Sequence, residues 1–165
     1  ATVCGYEANG GFLLGTAVEA DGALLPALPT RDAALPIIAV LVDTRRRDVT
    51  LSALQAQLPP RFTYSERLQD YPTSQSQALL THLQQGSESE ILAWLTQMFG
   101  GIAGTADGID TTDGLRIHFA DGDIIHLRPS GNAPELRCYT ESATPERAAA
   151  LNEDALRIVR GAVVP

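Results

Sequence analysis

Three strand-like runs lie between residues 108 and 142, and an amphipathic helix follows them directly. The runs cover about Gly108–Phe119, Asp123–Pro129 and Glu135–Ser142. Thr144 and Pro145 have the residue types of a helix N-cap and a first helical position, so we expect a helix that extends to about Arg160. Strands that are followed by helices on one face predict an α+β layer.

The segment between the second and third runs is RPSGNAPELR, and it has the residue types of an anion-binding loop. Arg128 is able to hold a phosphate bidentately, and Ser130 and Asn132 add hydroxyl and amide donors. Gly131 allows successive backbone N–H groups to turn toward an anion. An ordinary proline-glycine hairpin loop with a surface arginine explains the same composition equally well, because one loop motif is a weak signal.

This loop resembles the phosphate-binding loop in the last domain of the α-D-phosphohexomutases, the phosphomannomutase and phosphoglucomutase family. That family's pattern is Arg, any residue, Ser, Gly or Asn, Thr, any residue and Pro, with Arg or Lys a few positions later. The positions that match it are Arg128, Ser130, Gly131 and Pro134. Asn132 stands where Thr is usual. The resemblance implies that Arg128, Ser130, Gly131, Asn132 and Arg137 bind the substrate phosphate.

A second motif, GYEANGG at Gly5–Gly11, resembles the sugar-recognition loop of the same family. That loop has Glu, any residue, Ser or Asn, Gly and often His, and here Gly11 stands in place of the His. The resemblance implies that Glu7 and Asn9 bind the sugar. The two motifs occur in the family's order. The residues around the second motif are most similar to those of the bacterial phosphomannomutases.

The resemblance also implies how the chain is divided. Residues 1–58 correspond to the C-terminal remnant of the third mutase domain, the end of an α/β domain. Residues 59–165 correspond to the fourth domain, whose antiparallel sheet is covered by helices as in half of the TATA-binding protein. The Pro59-Pro60 step is the best boundary signal near this point.

An intact enzyme of this family interconverts hexose 6-phosphate and hexose 1-phosphate through a bisphosphorylated intermediate. It phosphorylates a serine in its first domain and holds Mg²⁺ in its second. No serine here has the required context, and Asp121-Gly122-Asp123 is too short for the metal loop and predicts a hairpin turn. We therefore expect no catalytic residue, no metal ligand and no turnover by this chain alone. The full-length parent enzyme would bind its Mg²⁺ outside this chain. The partners of this chain would be a hexose phosphate, preferably a mannose phosphate, and the missing N-terminal domains of the parent.

Two other functions fit the same residues. The chain would be a stand-alone phosphosugar-binding or regulatory module, or a structural domain whose anion loop is vestigial. A start at Ala1 without Met favours an excised fragment. The length of the native reading frame distinguishes these alternatives.

Composition argues against several other classes of function. The net charge of −8 disfavours non-specific nucleic-acid binding, which needs clustered positive charge. No apolar run approaches the roughly 18 residues of a membrane span, and no signal peptide is visible, so we expect a cytoplasmic protein. All twelve basic residues are arginines, and any phosphate must be held by them or by the backbone.

The histidines and cysteines form no recognisable site. His82, His118 and His126 have no nucleophile or acidic partner at a catalytic spacing, so we assign them no role. Cys4 and Cys138 form no Cys-x-x-Cys motif and are expected to be reduced thiols.

Local signals predict the remaining elements. Asp21-Gly22 indicates a hairpin over about Gly11–Leu25, and Thr30 is the expected N-cap of a helix over about Arg31–Arg46. Ser87 and Glu90 have the spacing of a capping box. The other expected elements are a strand at Phe62–Leu68 and helices at about Leu51–Gln57, Ser74–Gln84 and Ser87–Phe99.

Overall fold

A computed structural model describes residues 1–6, 10–83 and 85–162 of the chain. Glu7 and Asn9, the predicted sugar-binding residues, lie outside the described residues. The chain divides into two compact units, the N-terminal unit Ala1–Pro59 and the C-terminal unit Pro60–Pro165. The assignment of these units to two mutase domains stays a prediction. In the part of the chain that is described, no helix is long and apolar enough to cross a membrane.

The N-terminal unit contains two small antiparallel sheets and two helices. The strands are β1 (Cys4–Tyr6), β2 (Phe12–Leu14), β3 (Val18–Ala20), β4 (Ala23–Leu25) and β5 (Leu28–Asp32), and the helices are α1 (Ala34–Arg47) and α2 (Leu51–Gln55). One sheet has the order β1-β2-β5, and β3 pairs with β4 in the other. Leu14 is the one described residue of this unit that is fully buried, so its apolar side chains lie mostly on the surface.

The predicted hairpin of the N-terminal unit is real but shorter than expected. It covers Val18–Leu25, and Asp21 and Gly22 both have positive φ, as a type I′ turn requires. The prediction was wrong for Phe12–Leu14, which pairs with β1 and β5 in the other sheet. In a strand of three residues, the alternation of apolar and polar side chains is too short to predict which strand it pairs with.

The predicted cap of α1 was also wrong. Thr30 lies inside β5, and the helix begins four residues later, at Ala34. The Asp32 carboxylate accepts hydrogen bonds from the backbone N–H groups of Ala34 at 2.7 Å and Leu35 at 3.0 Å. An Asp therefore satisfies the free N–H groups at this helix start, in place of the expected Thr.

The C-terminal unit is an antiparallel sheet covered by helices, which confirms the predicted α+β class. Its strands are β6 (Phe62–Leu68), β7 (Ala106–Asp110), β8 (Leu115–Phe119), β9 (Ile124–Pro129) and β10 (Leu136–Ser142). Its helices are α3 (Thr73–Leu83), α4 (Glu88–Ala103) and α5 (Pro145–Gly161). The five strands have the order β6-β10-β9-β8-β7, and every pair of neighbours is antiparallel.

The alternation of the strands places one face of this sheet in the core. Along β10 every second residue is buried, and β8 shows the same pattern. The helices pack on this face. The largest buried side chains of the core are Leu79, Leu95, Phe99, Leu115, Ile117, Phe119, Ile125, Leu127, Leu136, Leu151 and Val159.

Two helices of this unit begin as their caps predict. Ser87 Oγ accepts from Glu90 N–H, and the Glu90 carboxylate accepts from Ser87 N–H at 2.8 Å, which completes the capping box. Thr144 Oγ1 accepts from Arg147 N–H at 3.1 Å, with Pro145 in the first turn. The predicted end of α4 near Phe99 was wrong, because the helix continues to Ala103.

The predicted strand Gly108–Phe119 was wrong, because the structure divides it into β7 and β8. The connection contains Asp113 and Gly114, and Gly114 has a φ of 92°. An Asp-Gly pair is a hairpin signal. This turn brings residues 113 and 114 beside β9, where the predicted anion loop begins.

Cys138 lies in the core, and burial raises the pKa of its thiol to about 12. A thiol whose pKa is higher in the folded state than in the unfolded state stabilises the fold while it stays protonated. We expect this contribution to be complete below about pH 8.5 and to be lost as the pH rises toward 12. Alkaline unfolding of wild type and Cys138→Ala measures it, and an equal change of unfolding free energy with pH in both proteins would contradict it.

Candidate functional site

Three arginines lie side by side on the sheet of the C-terminal unit. Arg137 of β10 is paired in register with Arg128 of β9 on one side and with Arg67 of β6 on the other. Residues that are directly opposite in antiparallel strands share a face, with Cβ atoms about 4.5–5.5 Å apart. We call Arg67, Arg137 and Arg128 the arginine row.

The arginine row lies on the sheet face opposite the core. Its neighbours in β9 and β10, Leu127, Leu136 and Cys138, are fully buried on the core face. The side chains of Arg67 and Arg128 are 49% and 42% exposed, which leaves their guanidinium groups accessible to a solute. This face therefore presents three arginines at the end of the sheet where β9 and β10 meet the loop.

The two outer members of the row have acidic partners, and the middle one does not. Arg67 Nη1 lies 3.5 Å from Glu135 Oε2, and Arg128 Nε lies 2.9 Å from Asp113 Oδ1. No described residue accepts a hydrogen bond from Arg137 or forms an ion pair with it. Arg137 is therefore an uncompensated cation between two other arginines. Like charges that lie directly opposite each other destabilise a sheet. A bound anion would remove this conflict.

The loop that follows Arg128 closes beside the arginine row. Ser130 N–H donates to Glu135 C=O at 2.9 Å, which ties the two ends of the loop together. Pro134 C=O accepts from Tyr71 N–H at 2.9 Å, which joins the loop to the segment after β6. Ser130 is buried, and its Oγ has a long contact of 3.5 Å with Asn132 N–H. The loop is thus fixed at its base and open at residues 131 and 132.

Gly131 does not need its glycine for a positive φ. Its φ is not in the left-handed region, in contrast to Gly114 and Gly122. The position is instead open, because no heavy atom lies within 4 Å of where a Cβ would be. Gly131 therefore leaves space for a ligand near the backbone, and its role in phosphate binding stays a prediction.

The turn between β7 and β8 contacts the arginine row at Arg128. The Asp113 carboxylate contacts Arg128, and the Asp113 carbonyl oxygen lies 2.6 Å from His126 Nε2. A Cβ on Gly114 would lie 2.4 Å from Leu127 O, so the turn packs directly against the β9 backbone. Sequence reasoning missed Asp113 and gave His126 no role.

The structure brings the predicted phosphate-binding residues to one end of β9 and β10. Arg128 and Arg137 lie on adjacent strands, and Ser130, Gly131 and Asn132 form the loop between those strands. Arg67 was also missed, because its place beside Arg137 depends on the pairing of two strands that lie far apart in sequence. The Asp113-Gly114 dipeptide carried a turn signal that could have been used.

Comparison with known proteins identifies the family. Residues 77–158 match the family model described as phosphoglucomutase/phosphomannomutase, C-terminal domain. A phosphomannomutase of Sinorhizobium fredii is 42% identical over 162 residues, which are 98% of this chain and 33% of that protein. The chain belongs to the phosphoglucomutase/phosphomannomutase family. This confirms the resemblance seen in the loop.

Two further relatives agree with this assignment. A phosphomannomutase of Salmonella muenchen is 44% identical over 158 residues, 96% of this chain and 32% of that protein. A probable phosphoglucosamine mutase of Methanopyrus kandleri is 42% identical over 57 residues, 34% of this chain and 12% of that protein. The chain spans about a third of the length of the two phosphomannomutases.

The Asp121-Gly122-Asp123 segment does not fit a Mg²⁺ ion. Asp123 Oδ1 accepts from Ser142 Oγ at 2.6 Å, and Asp123 Oδ2 lies 2.7 Å from Arg147 Nη2. A carboxylate that is already neutralised by a guanidinium is a poor ligand for a cation. Within the described residues, no group of three or more His, Cys, Asp or Glu is placed to hold a metal ion.

Proposed function

We propose that this chain is the substrate-anchoring part of a hexose phosphate mutase. The arginine row and the Ser130–Asn132 loop bind the phosphate that does not react, while the rest of a longer protein performs the transfer. The observation that carries this proposal is the uncompensated Arg137 between two other arginines, directly beside the loop that resembles the family's phosphate loop.

The site has the donors that a phosphate dianion needs. Arg128 and Arg137 supply planar guanidinium forks, which match phosphate oxygens in pairs. Ser130 lies at the base of the loop, and the exposed backbone at Gly131 and Asn132 is open for close approach. Lysine is absent from the chain, so this recognition relies on arginine, hydroxyl and backbone donors.

A firm anchor matters for this reaction because the bisphosphorylated intermediate must present first one end and then the other to the same phosphoserine. Binding energy from the phosphate that does not react fixes the sugar in a reactive orientation, which lowers the barrier of the transfer step.

Glu7 and Asn9 would bind the sugar hydroxyls, and we favour mannose over glucose as the hexose. The phosphoserine and Mg²⁺ would belong to the part of the protein outside this chain, so we expect no turnover by the chain alone.

Phosphate titration of the 165-residue chain by NMR tests the anchor. We expect millimolar affinity, or about −4 kcal/mol, because half of a substrate site cannot enclose the ligand. Chemical-shift changes should cluster at residues 128–132 and 137. Arg128→Lys should weaken binding several-fold because it loses the planar fork. Arg157→Lys, on the exposed side of α5, is the matched control and should bind as the wild type does.

Arg137→Gln gives a second readout of the same site. It should weaken phosphate binding and at the same time raise the free energy of unfolding by up to about 1 kcal/mol, because it removes like-charge contacts across the strands. Shift changes spread evenly over the surface, or equal binding in wild type and Arg128→Lys, would show that the loop is an ordinary turn.

A further inference from the structure

We propose that Asp113 is a positioning residue, which holds the Arg128 guanidinium in the orientation that receives phosphate. This inference rests on the proposed function of the arginine row. Asp113 lies in the turn between β7 and β8, outside the loop that resembles the family pattern. Its contact with Arg128 joins residues 15 positions apart in the chain.

The contact uses one particular edge of the guanidinium. Arg128 Nε donates to Asp113 Oδ1 at 2.9 Å, and no described residue accepts from its two terminal nitrogens. A hydrogen bond at Nε restricts the rotation of the guanidinium, and the Nη1 and Nη2 groups remain available as a fork. The phosphate would therefore meet a fork that is already oriented, and less side-chain entropy would be lost on binding.

Two neighbouring residues fix the turn that carries Asp113. His126 Nε2 lies 2.6 Å from the Asp113 carbonyl oxygen, which holds the turn backbone against β9. Gly114, at a φ of 92°, permits an approach to Leu127 O and Arg128 Cα that a side chain would block. The Asp113 carboxylate is thus placed by backbone contacts on both sides, and these contacts orient it toward Arg128.

The ion pair itself contributes little to the stability of the fold. The side chains of Asp113 and Arg128 are 62% and 42% exposed, so water and salt screen their attraction. The carboxylate also repels an incoming phosphate, so orientation and charge act in opposite directions on affinity. Variants that separate the two effects are needed.

Asp113→Ala removes both the hydrogen-bond acceptor and the charge, whereas Asp113→Asn keeps an acceptor oxygen and removes the charge. We expect phosphate affinity to fall about threefold to tenfold in Asp113→Ala, the cost of ordering one long side chain on binding. Affinity in Asp113→Asn should equal or exceed that of the wild type. Asp110→Ala is the matched control and should bind phosphate as the wild type does: Asp110 is the last residue of β7, and its carboxylate accepts from Thr112 N–H instead of from Arg128.

The Nε–H resonance of Arg128 supplies a readout that does not depend on phosphate. Its NMR signal, assigned by its loss in Arg128→Lys, should move and exchange faster with water in Asp113→Ala, and should stay close to its wild-type behaviour in Asp113→Asn. An unchanged signal in Asp113→Ala would show that the contact is absent in solution and would overturn the proposal.

The binding results distinguish this proposal from the proposed function. Phosphate binding by wild type with equal or tighter binding by Asp113→Ala overturns the positioning role alone, because Asp113 then acts only as a competitor of phosphate. An equal loss in Asp113→Ala and Asp113→Asn also overturns it, because a neutral acceptor then fails to rescue. Absence of phosphate binding in wild type contradicts the proposed function, and this inference with it.

Discussion

Arg147→Ala is expected to lower the free energy of unfolding of the C-terminal unit by about 3–5 kcal/mol, because it leaves a buried carboxylate without its counterion. The Asp123 side chain is 9% exposed and accepts from Arg147 Nε at 3.0 Å and from Nη2 at 2.7 Å. Arg147 Nη2 also donates to Ile102 C=O. One side chain thus links α5, the turn between β8 and β9, and the end of α4.

Urea unfolding followed by the fluorescence of Trp94, the single tryptophan, measures this effect within the unit concerned. Arg157→Ala is a matched control on the same helix. Arg157 forms an ion pair with Asp154, but its side chain is 68% exposed, and such a pair contributes at most about 1 kcal/mol. Equal losses of unfolding free energy in Arg147→Ala and Arg157→Ala would show that the buried pair stabilises no more than a surface pair.

Local sequence signals identified most elements of the C-terminal unit because each signal and its structure lie within a few residues. Ser87 and Glu90 predicted a capping box three residues wide, and the structure contains it. Thr144 and Pro145 predicted the start of α5 in the same way. The α+β class follows from these short-range patterns.

The site required information of longer range. Arg67 and Arg137 are 70 positions apart, and their pairing follows from the position of β6 at the edge of the sheet beside β10. The residue types and their spacing in the sequence do not predict the order of the strands in the sheet. The role of Asp113 was hidden for the same reason, because its partner Arg128 lies two strands further along the chain.

Gly131 shows a second limit of sequence reasoning, because a glycine in a loop does not reveal which property of glycine the fold uses. Its φ is not in the left-handed region, whereas the glycines with positive φ in the described C-terminal unit are Gly86, Gly104, Gly114 and Gly122. A fold uses glycine either because the backbone needs an unusual φ or because there is no room for a side chain. The sequence alone does not distinguish these two reasons. Only the coordinates separate Gly131, where the space is open, from Gly114, where it is filled.

Gly114→Ala is expected to have the second large effect, a loss of about 2–5 kcal/mol in the free energy of unfolding. A φ of 92° is unfavourable for alanine by about 1–2 kcal/mol. The new Cβ would also lie 2.4 Å from Leu127 O and 3.1 Å from Arg128 Cα, so backbone must move, at a further cost of about 1–3 kcal/mol.

Gly122→Ala separates these two costs. Gly122 lies in the next turn of the same sheet at a φ of 83°, and the nearest atom to its new Cβ would be Arg61 Nη1 at 3.8 Å. It should therefore lose only the 1–2 kcal/mol of backbone strain. Urea unfolding of both variants measures the difference, and equal losses would mean that the turn between β7 and β8 moves away from β9 without cost. Because that movement carries Asp113 away from Arg128, Gly114→Ala should also weaken phosphate binding, whereas Gly122→Ala should leave it unchanged.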